Sequence, residues 1–159
     1  MANKHFGINN QDTQSFIAKM KTADKELVTN MIKKANRVGY QVEADAKALA
    51  PRDTGQLEQS IRSTGAKYAN GQLSLSVGSP LVYALRRHEE PARKGIHDKY
   101  ARGVRYSDYY YNGRGELTRA KPNVGSFEPG RKYLTNAKLL NQNRWRTQLA
   151  NVVTETYGG

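Results

Sequence analysis

Apolar residues recur at intervals of mostly three and four through Val28, Met31, Ile32, Ala35, Val38, Val42, Ala46 and Leu49. That spacing lines one face of a helix with 3.6 residues per turn and predicts a helix over residues 24–49. Asp24 and Glu26 would sit in its first turn, against the positive end of the helix dipole, and Lys47 near the negative end. A smaller set, Phe16, Ile17 and Met20, predicts a short helix over residues 12–20. Gly39 lies inside the long stripe, where glycine costs about 1 kcal/mol relative to alanine. A close backbone contact is expected there to offset it.

The long helix stops abruptly. Pro51 has no N–H and biases Ala50 away from helical angles, and Asp53, Thr54 and Gly55 are turn-forming residues. Leu57 and Ile61 then stand four apart, one helical turn with both on one face and Thr54 or Asp53 as its cap. Residues 48–61 thus read as a structural joint that needs no chemistry to explain it.

Asn70-Gly71 is a strong two-residue hairpin signal, since both central positions of a type I′ turn need positive φ. The turn opposes Tyr68 to Leu73, Ala66 to Leu75 and Thr64 to Val77, with Leu73, Leu75 and Val77 on the buried face. Leu57 and Ile61 have the other parity, so they belong to a separate helical turn or a bulge near Gly65 resets the alternation. Pro80 closes the second strand, and Leu81 to Leu85 form an apolar run that is either a short strand or the start of a helix.

From residue 91 to 130 the periodicity dissolves into 40 residues with six glycines, three prolines, eight Lys or Arg and five tyrosines. A segment of this kind is unusual inside a domain and tends to be functional or disordered. Its composition suits an extended subunit interface, the alternative being a loop folded back on its own domain. Helical spacing resumes over residues 131–157 through Leu134, Ala137, Trp145, Leu149 and Val152, with Arg131 and Lys132 at the start, where the dipole disfavours cations. The chain therefore reads as one α+β domain: residues 1–23 an N-terminal arm, 24–90 helix plus sheet, 91–130 the insertion and 131–159 the C-terminal helix. The long N-terminal helix and the C-terminal helix are expected to pack on a small antiparallel β-sheet.

Composition adds an assembly expectation. A mean hydropathy of −0.82 with 37% hydrophobic residues is low for a self-sufficient globule. The formal net charge is +12, made of +3 in residues 1–50, +1 in 51–90, +4 in 91–130 and +4 in 131–159. An anionic partner is the first expectation, but no single patch marks a dedicated nucleic-acid module. There are no cysteines, so disulfides and thiolate chemistry are excluded. No apolar run resembles a signal peptide or a bilayer span, so a protein made in the cytoplasm with no membrane partner is expected.

Candidate chemistry is thin. His5, His88 and His97 have no metal-ligand spacing, Gly113-Arg114-Gly115 lacks the lysine and hydroxyl of a phosphate loop, and no serine sits in a nucleophile elbow. No cofactor and no enzymatic activity are expected. The candidate partner-facing or DNA-facing residues are Arg93, Lys94, Lys99, Tyr100, Arg102, Arg105, Tyr106, Tyr109, Tyr110, Tyr111, Arg114, Arg131 and Lys132, because cations meet phosphates or acidic surfaces and tyrosines stack or fill interfaces. No groove-reading motif accompanies them.

Ala50-Pro51-Arg52-Asp53-Thr54-Gly55-Gln56-Leu57 with Ser60-Ile61, Tyr83 with Glu89, and Gly130-Arg131-Lys132-Tyr133-Leu134 with Ala137 resemble three blocks of a tailed-bacteriophage family. That family comprises the minor capsid or tail-completion proteins of the head-tail junction. In its pattern a glycine soon follows the glutamate and the last helix comes earlier, whereas here Glu89-Glu90-Pro91 leads into the long insertion. The resemblance implies a non-enzymatic virion protein, assembled in the host cytoplasm as a homo-oligomeric ring at the neck. Its implied partners are connector or head-completion proteins, tail-tube proteins and genomic DNA passing non-specifically through the lumen. The rival reading is a small basic nucleic-acid-binding protein, with a nuclease a remote third.

Overall fold

The computed structural model describes residues 10–89, 96–98, 105–107 and 115–158, with side chains from residue 24 onward outside the 96–98 and 105–107 strands. Helix α1 spans Asn10–Leu49, so the two helices expected at 12–20 and 24–49 are one continuous helix, about 60 Å long at 1.5 Å per residue. Asp24 and Glu26 are therefore not in its first turn. Nothing between residues 20 and 24 breaks a helix.

The buried stripe of α1 is Ala35, Val38, Gly39, Ala46 and Leu49. Gly39 meets the close contact expected of it: a Cβ there would stand 2.5 Å from Leu75 Cδ1 and 3.0 Å from Ser63 Oγ.

Helix α2 is the single turn Gln56–Ser60, and it buries Leu57, with Ile61 fully buried just beyond it. Its cap differs from expectation. Gly55 holds the N-cap position at φ +83° with no side-chain cap hydrogen bond, and Thr54 Oγ1 accepts only a long 3.4 Å bond from Gln56 N–H. A left-handed cap residue aims the chain without needing a capping oxygen.

Strands β1 (Arg62–Ser63), β2 (Lys67–Ala69), β3 (Gln72–Ser74) and β4 (Val77–Gly78) form two antiparallel ladders, β2 with β3 and β1 with β4. Tyr68 opposes Leu73 across the Asn70-Gly71 turn, where φ is +52° and +75°. Farther out Ser63, not Thr64, opposes Val77. One extra residue in the first strand shifts the register, and Gly65 at φ +80° sits inside it, so the bulge alternative holds. Asn36 Oδ1 on α1 accepts from Ala66 N–H at 2.7 Å, and Glu43 Oε2 from Ser63 N–H at 2.7 Å, seating the bulged strand on the helix. Leu73, Leu75 and Val77 are half-buried between exposed neighbours, as the alternation requires.

The apolar run after Pro80 is not a strand: it leads into helix α3, Ala84–Glu89. Strands β5 (Ile96–Asp98) and β6 (Arg105–Ser107) pair antiparallel. Helix α4 is Glu116–Arg119, and helix α5, Tyr133–Tyr157, closes the fold. It lies antiparallel to α1, Asn141 meeting Asp45 near one end and Thr156 meeting Asn30 near the other. The core concentrates at the elbow, where Ala46, Leu49, Ala50, Leu57, Ile61, Ala84, Tyr133 and Ala137 pack together.

The insertion read as one interface segment over 91–130 is not uniform. Residues 115–130 fold back on their own domain, with Val124 and Phe127 against the core and Thr118, Lys121, Pro129 and Gly130 buried. The loop-on-its-own-domain alternative holds for that part.

Candidate functional site

The last carbonyls of a helix have no partner within it and must find one elsewhere. At the end of α1 the partners come from far along the chain. Gly130 N–H donates to Leu49 O at 2.8 Å, and the Lys121 ammonium donates to Lys47 O at 3.0 Å and Ala50 O at 2.7 Å. A cation is also the charge that the negative end of a helix dipole favours. Pro51 ends the helix, and residues 121–130 cap it.

The same ammonium donates to Glu58 Oε1 at 2.7 Å, and Arg52 grips that carboxylate through two bonds of 2.9 Å. Burial by itself would raise the Glu58 carboxyl, but the hydrogen bonds from Arg52 and Lys121 outweigh it and hold the group below the ordinary carboxylate range. Burial dominates at Lys121, which is pulled below the ordinary lysine value despite Glu58. Thr118 completes the clasp: its Oγ1 accepts from Arg52 N–H at 2.9 Å and donates to Arg52 O at 3.2 Å.

On the other side of the elbow, Tyr133 is fully buried and its hydroxyl donates to Ala84 O at 3.2 Å. Burial pushes that hydroxyl up to about 12. The His88 ring meets Tyr133 edge-on at 5.2 Å. His88 Nδ1 lies 2.7 Å from Glu89 Oε1, and its Nε2 receives Thr135 N–H at 3.4 Å, an arrangement that fits the tautomer with its proton on Nδ1. Lys132 takes the left-handed N-cap position at φ +60°, donates its N–H to His88 O at 2.9 Å and ion-pairs Glu89. The helix start that looked unfavourable for a cation thus has a carboxylate beside it, and the Lys132 and His88 hydrogen bonds hold Glu89 below its ordinary value.

The residues of the three sequence blocks converge here. Ala50, Leu57, Ile61 and Ala137 are core, Leu134 packs against it, Gly130 caps Leu49, and Gly55 sets the turn. Ser60 Oγ donates to Leu57 O and shares a 2.6 Å bond with Ser79, while the half-exposed Tyr83 hydroxyl donates to Gln56 Oε1 at 3.3 Å. Pro51 is half-buried, and Asp53 and Thr54 are exposed on the outer side of the turn. Sequence reasoning missed Lys121, Thr118, Glu58 and Asn141, whose partners lie up to 96 residues away.

Among the candidate partner-facing residues, Arg105 and Tyr106 lie on β6, Tyr106 opposing His97. Arg131 Nε is buried without a hydrogen-bond partner among the described residues. Arg93, Lys94, Lys99, Tyr100, Arg102, Tyr109, Tyr110, Tyr111 and Arg114 lie outside the described residues. Among the described residues no cluster of His, Asp or Glu is arranged to hold a metal, and no helix is long and apolar enough to cross a membrane.

Between α1, the β3 and β4 strands and α5 lies a groove of about 490 Å³, walled by Val38, Val42, Leu73, Leu75, Leu134 and Trp145. Its walls are apolar, and Lys138 and Gln142 stand among its lining residues.

No curated protein and no solved structure gave a significant match to the chain. Residues 14–86 match the sequence model of the HK97-gp10-like family, described as "Bacteriophage HK97-gp10, putative tail-component". The matched segment runs from within α1 through the elbow and both ladders into α3, and takes in the first sequence block and Tyr83 of the second. Through residues 14–86, a little under half of its length, the chain is similar to this HK97-gp10-like phage tail-component family.

Proposed function

We propose that the protein is a ring-forming subunit at the head-tail junction of the virion, joining connector to tail tube around the DNA path. The observation that carries this reading is the family match over residues 14–86, centred on an elbow in which Ala50, Leu57 and Ile61 pack in the core and Gly55 sets the turn. A rigid elbow fixes the angle between a 40-residue helix and the ladders, and repeated subunits need a fixed angle to close a ring.

In this reading residues 91–114 tie neighbouring subunits together, and the excess of positive charge faces DNA or acidic partner surfaces. Deleting 91–130 is not a clean test, because Lys121, Phe127 and Gly130 belong to the elbow. Deletion of residues 91–114 is expected to leave a helical, cooperatively melting monomer by circular dichroism and to abolish particles of ring size in light scattering and electron microscopy. Intact rings after that deletion would refute the role of the segment. Tight binding of the free protein to duplex DNA at physiological salt, with a steep log-log salt slope and no assembly, would favour the nucleic-acid-binding alternative.

A further inference from the structure

The turn between β2 and β3 places a nucleophile and an electrophile side by side. Asn70 and Gly71 form its tip at φ +52° and +75°, the conformation these two residue types adopt most readily. Among the described residues the Gly71 N–H has no acceptor and the Asn70 side-chain amide has no partner. Residues 67–72 are all exposed, and nothing stands within 4 Å of the position a Cβ on Gly71 would take. The other asparagines with described side chains differ. Those in α1 and α5 are followed by amides inside a helix, and Asn123 is followed by the branched Val124, whose N–H bonds Phe127 O at 2.9 Å.

The tip is also free to move. Its ladder has three pairs, Lys67 with Ser74, Tyr68 with Leu73 and Ala69 with Gln72, and of these six residues only Leu73 is half-buried. A two-stranded ladder with so little burial is marginal by itself and opens at low cost. Its base is fixed, by Asn36 on the Ala66 N–H and by Leu75 against Gly39. The tip therefore opens, and brings Asn70 Cγ to the Gly71 nitrogen, without disturbing the helices. We infer that Asn70 is a site of self-modification in the folded protein, losing its side-chain amide through a cyclic imide formed with Gly71.

In the first step the Gly71 N–H gives its proton to solvent base and the nitrogen bonds to Asn70 Cγ. The side-chain nitrogen takes up a proton and leaves as ammonia, closing a five-membered succinimide. Water then opens the ring at either carbonyl. Attack at Cγ restores the peptide bond and leaves aspartate; attack at the backbone carbonyl leaves isoaspartate, with the chain running through Cβ and Cγ. The balance is asparagine plus water to the acid plus ammonia, with no change of oxidation state. Aspartate still suits the turn. Isoaspartate adds a methylene to the backbone, so the two-residue turn no longer aligns Ala69 with Gln72 or Tyr68 with Leu73. Either product adds one carboxylate to a chain of formal charge +12. The residues that make the turn fold are thus the ones that make it age, whatever the protein assembles with.

The test incubates full-length protein at neutral and at mildly alkaline pH and maps its tryptic peptides by chromatography and mass. Mapping separates peptide 68–86 from 106–114, which carries a second Asn-Gly pair, Asn112-Gly113, outside the described residues. In peptide 68–86 the exchange of NH2 for OH is expected as two resolved products, isoaspartate and aspartate, formed faster at the higher pH. The rate should fall no more than about tenfold below that of the guanidinium-denatured chain, as a low-cost local opening requires. N70G keeps a turn of the same type and removes the electrophile, so its peptide 68–86 should keep its mass. Amide exchange over residues 67–74 should rise in the isoaspartate-bearing fraction while α1 and α5 stay protected. A folded wild type that leaves peptide 68–86 unchanged, or modifies it more than tenfold slower than the denatured chain, overturns the inference, because the fold then protects the site. The same mass change in N70G overturns it by placing the chemistry elsewhere, and unaltered exchange over 67–74 overturns the loss of register.

Discussion

Replacing Lys121 by methionine keeps the length of the side chain and removes the ammonium that holds the elbow shut. Three bonds disappear, to Lys47 O, Ala50 O and Glu58 Oε1, at a side chain only 6% exposed. Removing one partner of a buried ion pair costs about 3–5 kcal/mol when the other charge is left uncompensated. Glu58 keeps its two-bond grip from Arg52, so that range is an upper bound. What the substitution strands is the pair of carbonyls at the end of α1, each worth about 1–3 kcal/mol if buried and unsatisfied. Against this, methionine no longer bears the desolvation that burial imposes on the ammonium. The net expectation is a loss of about 2–3 kcal/mol.

At about 2–4 °C per kcal/mol for a chain of this size, the melting temperature should fall by about 4–12 °C. Urea melts followed by circular dichroism at 222 nm measure the loss directly, and a cycle with Glu58→Gln isolates the coupling, expected above about 1 kcal/mol for groups in contact. A Lys121→Met protein within about 0.5 kcal/mol of wild type would refute the claim that residues 121–130 clasp the helix end.

Three further outcomes follow from the same geometry. The Glu58 carboxyl is held below its ordinary value in the folded protein, so its contribution is present above the unfolded carboxylate pKa of about 4.3 and lost as pH falls through the folded value. Glu58→Gln should therefore flatten the acid limb of a stability-versus-pH curve, and an unchanged acid limb would contradict this. The Tyr133 hydroxyl is pushed up to about 12, so its stabilising effect is full below about pH 10 and is lost as pH rises toward 12. Tyr133→Phe should cost about 0.5–1.5 kcal/mol at neutral pH through the bond to Ala84 O and shallow the alkaline slope; equal slopes in urea melts at pH 9 to 11 would argue against it. Gly55→Ala should lose about 1–2 kcal/mol from backbone strain at φ +83°, since the nearest atom to the added Cβ is 3.9 Å away and packing is not at issue. Thermal melts showing Gly55→Ala as stable as wild type would mean the turn relaxes.

Much of the fold was legible because it depends on neighbours in sequence. The stripe from Val28 to Leu49, the stop at Pro51, the Asn70-Gly71 turn and the stripe from Leu134 to Val152 are local patterns, and each formed the element it predicted. The misreadings share a cause. The helix began at Asn10 rather than residue 24, because helical geometry continues where no residue breaks it, whether or not an apolar partner is present. The register beyond Gly65 slipped by one because a glycine at positive φ admits an extra residue that alternation alone cannot locate. The run from Leu81 to Leu85 left strand and helix open because five residues are too few to show a period, and the fold leads it into α3 with only Ala84 buried.

Of the candidate site, the sequence by itself determined the elbow: proline, a left-handed glycine and two apolar residues four apart dictate a stop, a turn and an anchored re-start through short-range sterics. It also carried a family resemblance whose first block, Ala50 to Ile61, lies within the match over residues 14–86. Only the tertiary structure decided what closes the elbow. Lys121, Thr118 and Gly130 reach the end of α1 from about 65 to 80 residues downstream, and nothing in the local sequence of Lys121 or Thr118 distinguishes them from other lysines and threonines. A hydrogen-bond partner for a helix end is selected by proximity in space, and proximity between distant segments exists only once the chain has folded.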